Sequence, residues 1–436
     1  MRALLRLALP VIATYLGFMT MGLVDLLALG RVSATAIGAL GVGTSIFNWF
    51  MIFGIGLLSG MDYHVGHAFG AGARRECDHV LAQGLWLSLA ASIPIVPILV
   101  LLADHLQIFG VNPDVVPEAR AYLRLLAPSL VPALLFGACR NYLQAVGGAT
   151  GAMVVLVAAN ILNAVLNYVF VFGHWGAPVM GAAGSALSTL IARSAMVIAA
   201  AALVLRQAAP DGAWHRYRRD WMQKVLKLGL PSAGQMTLEV GVFATATLLA
   251  GSLAADQMAA HQIVLNVASV MFMVPLGLGA AAAVRISQDL GAGNPAAARH
   301  SGNLALRLCV GFALCSSAAL LFFPGWILGL YTSVPAVVEA GRTILLIAAL
   351  FQFWDGLQTV LTGVLRGVAD TRSPLIANLV GHWMIGLPLG AALCFRFGFG
   401  LKGLWIGLAT GLALVAISLY FRWKTIRIKA PQVFNV

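Results

Sequence analysis

Uninterrupted apolar runs of bilayer length recur along the whole chain, and they decide what it can fold into. Residues 79–103 and 151–173 are two of them. Hydrocarbon offers no water to backbone N–H and C=O groups, so a spanning chain must form helices or a closed barrel. Barrel strands alternate polar and apolar residues over segments of about 10. The runs here are continuous and roughly 20 residues or longer, the length a helix needs to cross a bilayer. Composition agrees: 60% of residues are hydrophobic and 10% charged, against about 25% charged in soluble domains. Mean hydropathy is +0.91. The fold class is therefore all-α integral membrane.

Gly, Pro, Asn and charge clusters divide the chain into twelve predicted spans, at residues 4–30, 36–69, 79–103, 118–145, 151–173, 181–206, 224–251, 257–290, 297–330, 336–366, 373–397 and 402–424. Alternate loops differ in basic content. One side collects Arg74, Arg75, Arg206, Arg216, Arg218, Arg219, Arg285, Arg299, Arg366, Arg372 and Arg422 among others, while the other holds Arg31, Arg120, Arg124, Arg342, Arg396 and Lys402. By the positive-inside rule both termini face the cytoplasm. The net charge of +12 is thus a topology signal, and no nucleic-acid partner is expected. Five cysteines without C-x-x-C spacing argue against a disulfide framework or a metal knuckle. The apolar N-terminal run lacks a cleavage-site pattern and reads as the first span.

An internal repeat organises these spans. Leu7-Ala8-Leu9-Pro10 matches Leu228-Gly229-Leu230-Pro231, Gly70-Ala71-Gly72 matches Gly291-Ala292-Gly293, and Leu187-Ser188-Thr189 matches Leu408-Ala409-Thr410. The pairs 10 and 231, 70 and 291, and 189 and 410 share one offset of 221 residues. That offset covers six spans, so the halves have the same orientation and a pseudo-two-fold axis along the membrane normal. The predicted organisation is an N-lobe of six helices (1–206), a polar cytoplasmic linker (207–223) carrying His215-Arg216-Tyr217-Arg218-Arg219-Asp220, and a C-lobe of six helices with a short tail (224–436). Such a pair of lobes encloses a substrate cavity between them. Pro10 and Pro231 fall inside the first helix of each lobe, where a missing N–H permits a bend.

An ionisable residue within a span costs several kilocalories per mole and is functional by default. Three acids qualify: Asp25, Glu239 and Asp355. Burial disfavours a charged carboxylate and a bound cation favours it, so such a group can exchange a proton or sodium ion for a cationic substrate. The repeat does not superimpose them, since Asp25 corresponds to Ala246 and Asp355 to Leu134. In the first half Asn163 and Asn167 share a helix face, with Thr189 on the next helix. In the second, Gln235 lies four residues before Glu239, and Gln358 and Thr359 follow Asp355 by three and four. Phe351, Phe353 and Trp354 are candidates for stacking on flat cations, and His382 and His261 for proton relay. Asp62, His64 and His67 sit near the cytoplasmic end of the second span, where hydration is expected, and their spacing matches no metal site.

These segments, in this order, resemble the multidrug and toxic compound extrusion (MATE) family of the wider MOP superfamily, in its NorM-like branch. The resemblance is carried by Leu9-Pro10 through Gly22-Leu23-Val24-Asp25, Gly70-Ala71-Gly72, Leu162-Asn163 with Asn167, Gly176-Ala177-Pro178, Ala260-His261-Gln262 and Trp354-Asp355 through Leu365-Arg366-Gly367. It implies cation-coupled export of organic cations by alternating access between two bundles. Asp25, Asn163, Asn167 and Thr189 are then the N-lobe coupling site, and Glu239 and Asp355 the C-lobe site. Gln235, Phe351, Trp354, Gln358 and His382 become substrate-cavity residues. His382 and Phe351 stand where the family pattern has tyrosine.

The expected function is antiport of lipophilic cations or drugs against H+ or Na+, in a bacterial inner membrane, by a monomer surrounded by lipid. No cofactor is expected, and no metal beyond Na+ at Glu239 and Asp355. A lipid-linked-sugar flippase would call for arginines rather than acids in the cavity, a membrane enzyme for a motif such as His-Glu-x-x-His, and a channel would not need paired lobes. The acids favour antiport, not enzyme chemistry.

Overall fold

The computed structural model describes residues 2–208 and 216–428. Part of the expected linker, with Pro210, Asp211, Gly212 and His215, lies outside the described residues, as does the end of the tail. Among the described residues twelve helices are long and apolar enough to cross a membrane: α1 (Ala3–Leu29), α2 (Ala34–Gly70), α3 (Arg74–Asp104), α4 (Val116–Ala145), α5 (Ala149–Phe172), α6 (Gly181–Leu205), α7 (Arg219–Ala250), α8 (Ala255–Gly291), α9 (Pro295–Phe322), α10 (Pro335–Arg366), α11 (Arg372–Arg396) and α12 (Gly400–Thr425). The chain is a multi-pass membrane protein.

Local chemistry explains where these helices differ from the expected spans. The ninth was expected to run to residue 330 but stops at Phe322. Pro324 has no N–H to continue the ladder, and Phe323 leaves the helical region (φ −123°, ψ 34°) before a short helix Pro324–Gly329. The seventh starts at Arg219, five residues before its expected position. Within α2 the helix is interrupted at Ser59, whose hydroxyl donates to the Gly56 carbonyl at 2.7 Å. Two stretches of α11, Leu379–Gly386 and Ala392–Arg396, are π-helical, a widening found mostly at functional sites.

Packing divides the chain into two units that do not meet at the linker. One comprises Ala13–Ala233 and the other Met1–Ile12 together with Gly234–Val436. Each cut falls inside a helix, two residues after Pro10 in α1 and two after Pro231 in α7. The two cuts are themselves 221 residues apart, as residues 12 and 233 show, so the repeat governs packing as well as sequence.

Close backbone contacts fix both half-helices. In the first unit a Cβ on Gly56 would stand 2.4 Å from Ala233 Cα, and one on Gly229 2.1 Å from the Leu57 carbonyl oxygen. In the second, a Cβ on Gly277 would stand 2.7 Å from Ile12 Cα. Gly56 and Gly277 are repeat mates, as are Ala233 and Ile12. The α2–α3 and α8–α9 turns are matched too, with Gly72 at φ +74° and Gly293 at φ +72°, a left-handed conformation glycine adopts without penalty.

Overpacking at such contacts typically costs about 1–3 kcal/mol. Gly56→Val and Gly277→Val are each expected to lower the melting temperature of the detergent-purified protein, followed by tryptophan fluorescence. Gly41→Ala, at a position where an added Cβ meets nothing within 4 Å, is the control expected to melt unchanged.

Candidate functional site

Asp25 enters the Ala13–Ala233 unit on the last turns of α1 and is 4% exposed. Three side chains from two other helices surround it. Asn167 Nδ2 donates to Asp25 Oδ1 at 2.7 Å and Thr189 Oγ1 donates to Oδ2 at 3.0 Å. Behind them Asn163 Nδ2 donates to Thr189 Oγ1 at 3.2 Å, and Asn167 Nδ2 also donates to Asn163 Oδ1 at 3.2 Å. The i, i+4 spacing of Asn163 and Asn167 puts both amides on one face of α5. Asn167 and Thr189 each place a donor on one carboxylate oxygen, with Asn163 bracing both from behind, which supplies in place of water the hydrogen bonds that a buried charge requires. Asn167 Oδ1 is buried without a hydrogen-bond partner, leaving one acceptor beside the acid. The four N-lobe residues expected from the sequence thus form one cluster.

Arg193 completes that cluster and was missed in the sequence. It lies four residues after Thr189 on α6, donates from Nη1 to Ser129 Oγ at 2.8 Å, and stands 4.9 Å from the Phe47 ring centroid. Its charge acts on both Asp25 and Tyr122. The rule that flags acids within spans flags this guanidinium as well, once basic residues are not all assigned to loops. Arg193 is half-buried, whereas Arg140, at 4% exposure, is buried, held by Asn141 Oδ1 and facing the Tyr15 and Phe18 rings at 5.4 and 5.7 Å. The sequence reading expected acids rather than arginines inside the bundle; this unit buries both kinds.

The second cluster lies wholly within the Gly234–Val436 segment. Gln235 Nε2 donates to Glu239 Oε2, and Gln358 Nε2 donates to Oε1 at 3.0 Å. Since the Gln358 amide nitrogen faces the acid, its Oε1 accepts from His382 Nε2 at 3.1 Å. A directed chain therefore runs from the π-helical turn of α11 through α10 to the acid on α7. Trp383 Nε1 donates to the Leu238 carbonyl at 3.0 Å, pinning α7 next to Glu239. Asp355 is also buried, at 3% exposure, and Glu239 acts on it electrostatically. No hydrogen bond among the described residues reaches the Asp355 carboxylate; its Oδ1 and both polar side-chain atoms of Gln352, one turn earlier on α10, are buried without partners. The free Asp355 and Gln352 oxygens are of the carboxylate and carbonyl type that suits a hard cation.

Other expected residues lie elsewhere. Phe351 is 2% exposed and packs on Trp405 and Phe243, at centroid distances of 5.1 and 5.9 Å, so it belongs to the apolar core. Trp354 points to a groove lined by α9 and α12 residues, away from the polar cluster. The Thr359 hydroxyl donates to its own helix, at the Asp355 carbonyl. His261 accepts from Trp405 Nε1 at Nδ1 (3.2 Å) and faces Thr247 Oγ1 through Nε2 (3.0 Å), which fixes the ring as a structural group. Asp62 and His67 are buried rather than hydrated, and His64 Nε2 donates to the Lys224 carbonyl at 3.1 Å beside Trp221. The start of α7 packs against this segment at His64 and Gly60, which the sequence did not show. Among the described residues no His, Cys, Asp and Glu side chains group as a metal site.

Comparison with known proteins identifies the family. The MatE family model matches residues 10–169 and 231–392, one match per repeat. A probable multidrug resistance protein NorM of Mesorhizobium japonicum is 36% identical, covering 100% of this chain and 96% of the relative. The multidrug resistance protein NorM of Burkholderia vietnamiensis is 38% identical, covering 96% and 92%. Among solved structures, the eukaryotic MATE transporter AtDTX14 superimposes with a TM-score of 0.90 at 22% identity over 98% of this chain and 96% of its own. A MOP superfamily transporter from Pyrococcus furiosus superimposes at 0.86 with 18% identity over 97% and 94%; both share the fold. The chain belongs to the MATE family of transporters, within its NorM-like group.

Proposed function

We propose that this protein is a multidrug efflux transporter of the bacterial inner membrane, with both termini cytoplasmic, that exports lipophilic organic cations in exchange for H+ or Na+ by alternating access. The observation that carries the reading is one buried carboxylate cluster in each packing unit: Asp25 with its Asn and Thr donors, and Glu239 with Asp355. A carboxylate held this way is stable only while its charge is answered, by donors, by a proton or by a cation. An organic cation and a coupling ion that draw on the same negative charge cannot both be held there, and that competition is the physical basis of exchange. The NorM names of the full-length relatives support drugs as the cargo. It acts as a monomer within the lipid.

The two clusters differ in a way that bears on their ions. Asp25 has donors on both oxygens and the fixed charge of Arg193 nearby, an arrangement that answers much of its charge from within the protein. Asp355 and Gln352 present oxygens that no donor among the described residues occupies, an arrangement that suits a cation. His382, through Gln358, adds a polar link to Glu239 in place of the phenol of the family pattern. Arg193 is a positioning residue, acting on Asp25 through charge and through its tie to Ser129.

Asp25→Asn is expected to cut dye export from cells by about tenfold or more, since hydrogen bonds to a charged group contribute about 1.5–3 kcal/mol, and Asp355→Asn is expected to impair export by removing a charge that a cation would answer, while the amount of protein in the membrane stays the same in both. Full export by both variants at normal expression would remove the acids from the mechanism. Arg193→Gln is expected to lower export, with substantial recovery in Arg193→Lys, which restores charge without the planar fork; equal loss in both would assign the side chain to packing alone. Proteoliposomes given only a sodium gradient, or only a pH gradient, test antiport itself. At least one gradient is expected to drive export, and export indifferent to both would overturn the proposal.

A further inference from the structure

Two grooves run along the apolar surface of the Gly234–Val436 segment, and their arginines differ. The groove of about 460 Å³ beside α11 and α12 includes Arg422, whose Nε is bound to Asp370 Oδ2 at 2.7 Å. The groove of about 550 Å³ between α9 and α12 has α10 as its floor, at Trp354 and Leu357, and holds Arg307 in its α9 wall. Among the described residues no carboxylate pairs with Arg307, although its side chain is exposed. The opposite wall carries Ile417 and Tyr420, and Lys424 Nζ stands 5.0 Å from the Tyr420 ring centroid.

Helix direction places the charge at one end of this groove. The start of α9 meets the end of α12, because Arg299 Nη2 donates to the Ile426 carbonyl at 2.6 Å and Trp423 Nε1 to Asn303 Oδ1 at 2.9 Å. Arg307 lies roughly 18 Å along α9 from Pro295 at about 1.5 Å per residue. Its side chain tilts back toward the helix N-terminus, and a long basic side chain within the bilayer extends toward the interface. Arg307 lines the groove wall and Lys424 stands beyond its edge, against Tyr420 one turn earlier on α12, so both charges belong to the end of the groove nearest the α9 start, while the rest continues inward as aromatic and aliphatic surface.

We propose that this groove binds one anionic glycerophospholipid of the adjoining leaflet, its phosphate held at Arg307 and Lys424 and one acyl chain lying along Trp354, Leu357 and Ile417. Basic pockets between spanning helices have the chemistry that recognises anionic headgroups, and a cationic drug is repelled there by the same charges. The site rests on the membrane fold and not on antiport. It has a functional reach, because Trp354 precedes Asp355 and Leu357 precedes Gln358, so a lipid on the outer face of α10 bears on the helix that carries the second acid cluster.

Native mass spectrometry of the detergent-purified full-length protein, titrated with dioleoylphosphatidylglycerol or dioleoylphosphatidylcholine, tests this. One phosphatidylglycerol is expected to be retained with about tenfold or greater preference over phosphatidylcholine. Arg307→Gln is expected to abolish the preference, Arg307→Lys to keep most of it, and Ile417→Trp, which fills the groove, to remove the bound lipid. Equal retention of the two lipids, an unchanged preference in Arg307→Gln, or displacement of the lipid by inorganic phosphate alone or by tetraphenylphosphonium would each overturn the assignment. Because the readout is binding, it stands whether or not export is ion-coupled.

Discussion

A carboxylate placed among apolar helices is tolerated only if something answers its charge, and the polar architecture of this protein follows from that requirement. Asp25 draws two asparagines and a threonine from α5 and α6 onto one point, with an arginine one turn further along α6. Glu239 draws two glutamines from α7 and α10, and through one of them a histidine from α11. In both units the donors come from helices that are also tightly packed, so the site and the core are built from the same elements. Asp355 differs in having no donor for its carboxylate among the described residues.

Backbone proximity is the second constraint. The repeat does more than duplicate six helices, because it also transfers the start of α1 and the start of α7 into the unit formed mainly by the other half of the sequence. Gly56 against Ala233 and Gly277 against Ile12 are one contact made twice. Helices that approach this closely need glycine at the contact. Pro10 and Pro231 lie two residues before the cuts between units, where a missing hydrogen bond eases a change of direction. The acids on α1 and α7 stand beyond these points, so any bend there would be felt at both clusters.

Much of this was legible in the sequence, for reasons that differ by residue. Span count and repeat were readable because bilayer length and the 221-residue offset act on the whole chain. The Asp25 cluster was readable because Asn163 and Asn167 have helical spacing and polar residues in spans are few. Phe351 and Trp354 were misplaced because facing depends on which neighbour a helix packs against, and no single-helix pattern encodes that; Phe351 turned into the core and Trp354 to the outer groove. Arg193 and Gln352 were passed over, the first because basic residues were read as loop markers and the second because a neutral amide carries little signal alone. The approach of α7 to His64 and Gly60 on α2 is a long-range contact that composition does not report.

The central claim is that organic cation and coupling ion draw on the same buried negative charge, and ion release on substrate binding measures this most directly. Tetraphenylphosphonium added to the purified protein in weakly buffered detergent solution, with a pH electrode and a sodium electrode in the vessel, is expected to release protons or sodium in proportion to the protein. Glu239→Gln with Asp355→Asn is expected to lose the release attributable to the second cluster. Saturating binding of the cation to the wild-type protein with neither ion released would contradict the account.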